Sequence, residues 1–150
     1  MLKEGDQAPE IRVRTDAGEE FRLSDLKGKR VVLYFYPKAD TPGCTTEACE
    51  FRDGAAAFQK KGAAVVGISP DKPAAQAKFK SKYGLPFTLL ADEEKAAAQA
   101  YCVWKEKNMY GKKVMGIERT TFVIGPDGKI EKIYSKVKAQ GHAADVLAHL

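Results

Sequence analysis

Residues 31–53 read VVLYFYPKADTPGCTTEACEFRD, and three structural signals follow one another within them. VVLYFY (31–36) is a continuous apolar run rich in β-branched and aromatic residues. That is the pattern of a strand covered on both faces, as in α/β sheets. Pro37 ends the run. Further on, TTEACEFRDGAAAFQKK (45–61) places Ala48, Phe51, Ala55 and Phe58 three and four residues apart, one apolar stripe for a helix laid on a sheet. Between the two, Thr41 suits a helix N-cap and Pro42 the first helical turn. A buried strand that passes through a short loop into a helix N-terminus is the place where open α/β sheets hold ligands.

Similar signals extend in both directions. AAVVGIS (63–69), ended by Pro70, and TTFVI (120–124) are two more buried-strand runs, and FTLLAD (87–92) reads as a further strand. IRVRT (11–15) and EEFRL (19–23) alternate about the turn Asp16-Ala17-Gly18, which predicts an N-terminal β-hairpin. Ser24 and Asp25 then open a short turn closed at Gly28. KIEKIYS (129–135) follows the turn Pro126-Asp127-Gly128 and pairs with the strand before it. Helices are expected over 73–83, with Pro73 at the start, Ala77 and Phe79 inward and Gly84 as the stop, over the Ala-rich 93–102, and over 142–150. The order predicts an α/β fold in a single domain over 1–150, a central mixed β-sheet flanked by helices with an N-terminal β-hairpin.

Composition limits the function. The chain has 150 residues, 44% apolar and 30% charged, near the averages for globular proteins and unlike disordered or fibrous chains. No stretch reaches the roughly 20 apolar residues of a membrane span, and the opening MLKEGDQAPE has no apolar leader core. The expectation is a cytoplasmic protein with no membrane partner. Net charge is +5, with the excess in the second half, where Lys105, Lys107, Lys112 and Lys113 cluster. That cluster lacks a long unbroken basic run and reads as a solvated lysine face. The rival reading, a non-catalytic module that holds nucleic acid, predicts salt-sensitive binding that survives loss of Cys44.

Three cysteines are too few, and odd in number, for a disulfide scaffold. Cys44 falls in the opening turn of the expected helix, beside its unpaired N–H groups and the positive end of its dipole, which favour a thiolate. Cys49 lies five residues on. In an intact helix that separation is about 140° and ~7.5 Å of rise, with Cα atoms ~8.5 Å apart, whereas a disulfide needs them within about 7 Å. The pair can bond only if the first turns unwind, which suits a reduced helical state and an oxidised unwound one. C-x4-C by itself leaves open two thiols packed as small hydrophobes. It differs from the C-x-x-C of disulfide oxidoreductases. It also fits zinc poorly: four ligands are needed and His142 and His149 are far off in sequence, so no metal is expected.

Pro37-x-x-x-Thr41-x-x-Cys44 matches in full the P-x-x-x-T-x-x-C motif of the peroxiredoxins. TPGCTTEACEFRD resembles their bacterioferritin-comigratory-protein (PrxQ) branch, and the likeness continues through GISPDKP, YGLPFTLLAD and GIERTTFVIGPDGKI, nearly the whole chain. The resemblance implies a thioredoxin-like fold and a thiol peroxidase acting on hydrogen peroxide and organic hydroperoxides. In it Cys44 attacks the peroxide and becomes a sulfenic acid, and Cys49 resolves that acid to an intramolecular disulfide. Thioredoxin or a similar dithiol protein then reduces the disulfide. Thr41 exchanges hydrogen bonds with peroxide or sulfur, Arg119 stabilises the thiolate and the polarised O–O bond, and Pro37 shields the sulfur. Glu47 and Arg52 take supporting parts, and Met109 and Tyr110 line the approach. No cofactor is implied, and the expected state is a monomer or weak homodimer. Cys102, beside Tyr101 and Trp104, is expected to be a buried structural thiol.

Overall fold

The computed structural model describes the backbone of residues 1–150 and every side chain but that of Met109. Its strands are β1 (Arg12–Thr15), β2 (Glu20–Arg22), β3 (Arg30–Phe35), β4 (Ala63–Ser69), β5 (Thr88–Ala91), β6 (Trp104–Met109), β7 (Lys112–Ile117), β8 (Thr120–Ile124) and β9 (Ile130–Tyr134). The helices are α1 (Pro42–Asp53), α2 (Ala55–Lys60), α3 (Pro73–Tyr83), α4 (Ala96–Ala100) and α5 (His142–His149).

Seven strands form one sheet in the order β2-β1-β5-β4-β3-β8-β9. β3 pairs parallel with β4, and β4 with β5, while β8 and β9 close one side antiparallel and the β1–β2 hairpin the other. The apolar run of β3 divides by the alternation of a strand. Val31, Leu33 and Phe35 face one core with Ile68, Leu90, Tyr101 and Phe122. Val32, Tyr34 and Tyr36 face the other, under Phe51 of α1, Phe58 of α2, Phe79 of α3 and Val146 of α5. Continuous hydrophobicity here does mean burial on both faces. No helix among the described residues is long and apolar enough to cross a membrane.

Four details differ from the sequence reading. The helix starts at Pro42 behind Thr41, as their types implied, but the expected continuous stretch to residue 61 is split in two at Gly54, which caps α1 and opens α2. The 93–102 helix shrinks to α4 because Lys95 takes a left-handed backbone, and the Asp92 carboxylate accepts from the N–H groups of Ala97 and Ala98 at its start. On α3, Phe79 is buried as expected, but Ala77 is only half-buried and the polar Gln76 is fully buried. Residues 104–117 form a separate two-stranded ribbon, β6–β7, which the sequence did not announce, because WKEKNM lacks both alternation and β-branched residues.

Gly67, on β4, is paired with Tyr34 on one side and Leu89 on the other. A Cβ there would stand 2.8 Å from the Tyr34 ring and 2.9 Å from Leu89 Cδ2. Gly67→Ala is expected to destabilise the protein by about 1–3 kcal/mol through overpacking and to lower Tm by several degrees, roughly 3–10 °C, read by thermal denaturation.

Candidate active site

At the end of β3 the Tyr36 N–H donates to Ile68 O (3.0 Å), and the chain leaves the sheet at Pro37. The loop that follows is tied down at each step. The Ala39 N–H donates to Asp71 Oδ2 (2.7 Å), while Asp40, with φ of 58°, accepts from Lys82 Nζ (2.8 Å) and Tyr83 OH (2.7 Å). Asp71 also accepts from Ser69 Oγ (2.6 Å), Ser69 Oγ accepts from Gln76 Nε2 (2.9 Å), and Gln76 Oε1 accepts from Tyr36 OH. The buried Gln76 therefore belongs to a polar relay joining α3, β4 and β3 under the loop, satisfied rather than stranded. An isolated glutamine in a helix gave no sign of this role.

Thr41 holds the N-cap backbone position, extended at φ −100°, and its carbonyl accepts from Thr45 N (2.8 Å). Its side chain does not cap the helix. The hydroxyl donates to Lys38 O (2.7 Å), which commits its proton and leaves the oxygen able to accept. Pro37 is half-buried and Cys44 is 1% exposed in the first turns of α1.

Arg119 arrives from far along the chain. It lies in the two-residue link between β7 and β8, where its own carbonyl accepts from Val137 N (3.0 Å) and the Glu118 N–H donates to Val103 O (2.8 Å). Its guanidinium forks: Nη2 donates to Cys44 Sγ at 3.4 Å and Nη1 to Glu47 Oε1 at 2.6 Å. Gly43 makes room for it, since a Cβ there would stand 3.1 Å from Arg119 Nη2. Burial works against the Arg119 charge, but Glu47 and Cys44 more than offset it and hold its pKa above the ordinary value. Glu47 is fully buried, and its second oxygen, Oε2, has no hydrogen-bond partner among the described residues. Burial, only partly offset by Arg119, pushes its carboxyl up to about 7. Lys107, half-buried on β6, is a further cation here; burial, then the Arg119 charge, lowers its pKa, with Cys44 and Glu118 opposing.

Cys49 sits half-buried on α1 with Cys44, and all three cysteines are free thiols. Arg52, on the same helix, donates to Tyr83 O (2.8 Å) and ties α1 to the end of α3. Cys102 corrects an expectation: it is half-buried with φ of 61°, and lines a cavity of about 500 Å³ with Lys3, Lys105 and Glu118. Tyr110, expected along the approach, is fully exposed at the tip of the ribbon, and the Met109 side chain lies outside the described residues. His142, remote in sequence, packs edge-on against Phe51 of α1 and shares a 2.7 Å hydrogen bond with Thr121. Burial lowers its pKa to about 4 and keeps it neutral. No group of three or more potential metal ligands occurs among the described residues.

A thiol at the start of a helix, on a mixed sheet and facing an arginine, is the arrangement of a redox-active cysteine. The AhpC/TSA family model matches residues 4–133. Peroxiredoxin Bcp of Bacillus subtilis is 50% identical over 97% of this chain and 93% of its own length. Peroxiredoxin Bcp of Escherichia coli is 45% identical over 97% and 94%. Among solved structures, a mutant of Xylella fastidiosa PrxQ superposes with a TM-score of 0.94 at 37% identity, covering 99% of this chain and 95% of that one. The Xanthomonas campestris bacterioferritin comigratory protein, studied for alkyl peroxide reduction, gives 0.89 at 42% identity over 93% and 88%. The chain belongs to the AhpC/TSA family as a peroxiredoxin of the Bcp/PrxQ kind, and its fold is thioredoxin-like.

The buried carboxyl has a measurable consequence. The folded pKa of Glu47 lies above that of an unfolded glutamate, so between about pH 4.5 and 7 the folded state holds a proton that the unfolded state has lost. Its contribution to stability is complete below the unfolded value and declines as pH rises through the folded one. Glu47→Gln retains an acceptor for Arg119 but cannot ionise. Relative to wild type, the variant is expected to gain stability from pH 5 to pH 8, by on the order of 1–3 kcal/mol, read by urea denaturation across that range. A constant difference would show that Glu47 does not titrate there.

Proposed function

We propose that this protein, a thiol-dependent peroxidase, reduces hydrogen peroxide and organic hydroperoxides through Cys44 and Cys49. The observation that carries the assignment is the Arg119 Nη2–Cys44 Sγ contact of 3.4 Å, with Glu47 holding the other arm of the guanidinium. The Cys44 thiolate attacks the terminal peroxide oxygen. A bond forms between sulfur and that oxygen, the O–O bond breaks, and the departing alkoxide or hydroxide takes a proton to leave as alcohol or water. Arg119 supplies fixed charge where the oxygens become negative, and its planar fork can serve sulfur and oxygen together. Thr41 accepts from the peroxide hydroxyl, and Pro37 limits water at the sulfur.

Resolution follows at the same helix. Cys49 attacks the sulfur of the Cys44 sulfenic acid, an S–S bond forms and water leaves. A thioredoxin-type dithiol protein then supplies two electrons and two protons by exchange. Sulfur carries the electrons throughout, so the cycle calls for no metal, haem or flavin. We place the protein in the cytoplasm as a monomer or weak homodimer with no nucleic-acid or membrane partner.

Cys44→Ser is expected to abolish peroxide consumption, because a hydroxyl at neutral pH is a far weaker nucleophile than a thiolate; near-normal turnover in a coupled assay would sink the assignment. Arg119→Lys keeps a charge but loses the fork. It should slow both peroxide reduction and iodoacetamide alkylation of Cys44, and unchanged rates would remove Arg119 from the chemistry.

The spacing predicts a third result. Cys44 and Cys49 share the helix Pro42–Asp53, so a bond between them must break backbone hydrogen bonds worth about 1 kcal/mol each and disturb the fully buried Ala48 and Phe51. A loop this short constrains the unfolded chain little. The oxidised protein should therefore melt below the reduced one and lose hydrogen-exchange protection over residues 44–52. A higher Tm on oxidation, with protection intact, would exclude Cys49 as the resolving thiol.

A further inference from the structure

Among the described residues, the exposed large apolar side chains besides Met1 are Tyr110, Val114 and Met115. All three lie on the β6–β7 ribbon, with Tyr110 100%, Val114 40% and Met115 50% exposed. Val114 and Met115 project from opposite faces of the ribbon, and Val114 shares its face with Lys107, its cross-strand partner, and with Lys112. An exposed apolar side chain set among lysines, beside a fully exposed tyrosine at the turn, marks a face that meets a partner.

The turn adds an independent sign. Met109 and Lys112 are paired, so Tyr110 and Gly111 form a two-residue turn, with φ of 53° and 78°. Such turns favour asparagine followed by glycine, because both central residues need positive φ. A bulky aromatic at the first position is sterically unfavourable. The Tyr110 ring gains no packing within this chain to offset that cost, which points to a role outside it.

Charge and position narrow the role. Lys112 and Lys113 are exposed and Lys105 and Lys107 half-buried on the same ribbon, against a single ribbon carboxylate, Glu106, 3.7 Å from Lys113. β7 ends two residues before Arg119, which contacts Cys44, and the Lys107 ammonium feels both Arg119 and Cys44. A partner that lies along the ribbon from the Tyr110 turn to the end of β7 therefore reaches the neighbourhood of Arg119 and Cys44. A second copy joined by a two-fold axis would set this lysine-rich surface against itself. Nucleic acid would use the lysines but gain little from Val114 on the same face.

We propose that the β6–β7 ribbon is the docking surface for the dithiol protein that reduces the Cys44–Cys49 disulfide, a partner with an apolar patch bordered by carboxylates beside its reactive cysteine. This rests on the two-cysteine peroxidase reading. The partner's thiolate attacks one sulfur of the disulfide, a mixed disulfide forms and one thiol of this chain is released. The partner's second thiolate then displaces the other, so the partner leaves oxidised and both cysteines are reduced.

Tyr110→Asn tests the proposal without threatening the fold, since asparagine suits that turn position. With a bacterial thioredoxin, its reductase and NADPH as the reducing system, the KM for thioredoxin is expected to rise about tenfold, the loss of one interface hot spot. Lys112→Glu with Lys113→Glu should raise it too and flatten its dependence on salt. Turnover supported by dithiothreitol should stay at the wild-type rate in both variants. An unchanged thioredoxin KM in both overturns the proposal. So does a changed sedimentation behaviour with unchanged KM, which would assign the ribbon to a second copy, or a wild-type disulfide that thioredoxin does not reduce. Failure of the wild-type protein to consume peroxide with dithiothreitol would instead remove the peroxidase reading itself.

Discussion

One guanidinium joins the two halves of the site. Arg119 donates to Cys44 and to Glu47, residues 75 and 72 positions earlier in the chain. This requires β8 to lie directly beside β3, since β3 runs into the loop carrying α1 and Arg119 immediately precedes β8. The antiparallel register Phe35↔Thr120 provides it, bringing the end of one strand level with the start of the other. Both strands are buried nearly throughout, so a one-residue slip would exchange side chains between two differently packed cores. The position of a charge at a sulfur thus depends on the packing of a hydrophobic sheet.

Glu47 shares that charge with the sulfur. A buried carboxylate with one unpartnered oxygen is costly, and a buried arginine without an anion is costly too. Placed together they lessen each other's penalty, yet the carboxyl is still held near neutral pH. Arg119 is consequently shared between two groups that each bind it best when ionised. Glu47 therefore bears on Cys44 through the arginine they share.

Helix α1 carries two demands that oppose each other. Ala48 and Phe51 are fully buried, and Glu50 accepts from the Gly141 N–H at 2.8 Å, so the helix is fastened to the sheet and to α5. Its two thiols stand too far apart to bond while it stays intact. Its limits are soft, however: it opens on a proline without a side-chain cap and ends at Gly54. Weakness at the ends and strength in the middle make partial unwinding less costly than unfolding.

Much of this was legible in the sequence. Continuous apolar runs marked β3, β4 and β8, because a strand covered on both faces has no polar positions to spare. The strand–Pro–Thr–Cys series placed Cys44 at a helix start, because caps and prolines act locally. What was not legible depended on neighbours distant along the chain. By spacing alone Glu47 was one more glutamate on an amphipathic helix, and family resemblance lent it only a supporting part, until the fold set Arg119 beside it. Gln76 became a core residue only when β3 and β4 supplied Tyr36 and Ser69 as partners. The β6–β7 ribbon escaped notice because its strands are held by their mutual pairing rather than by an apolar pattern. Local chemistry is written in adjacent residues, so the sequence determined the strand, the helix and the thiol. The electrostatics of a buried group depend on what the rest of the chain brings within a few ångströms, and only the tertiary structure decided that.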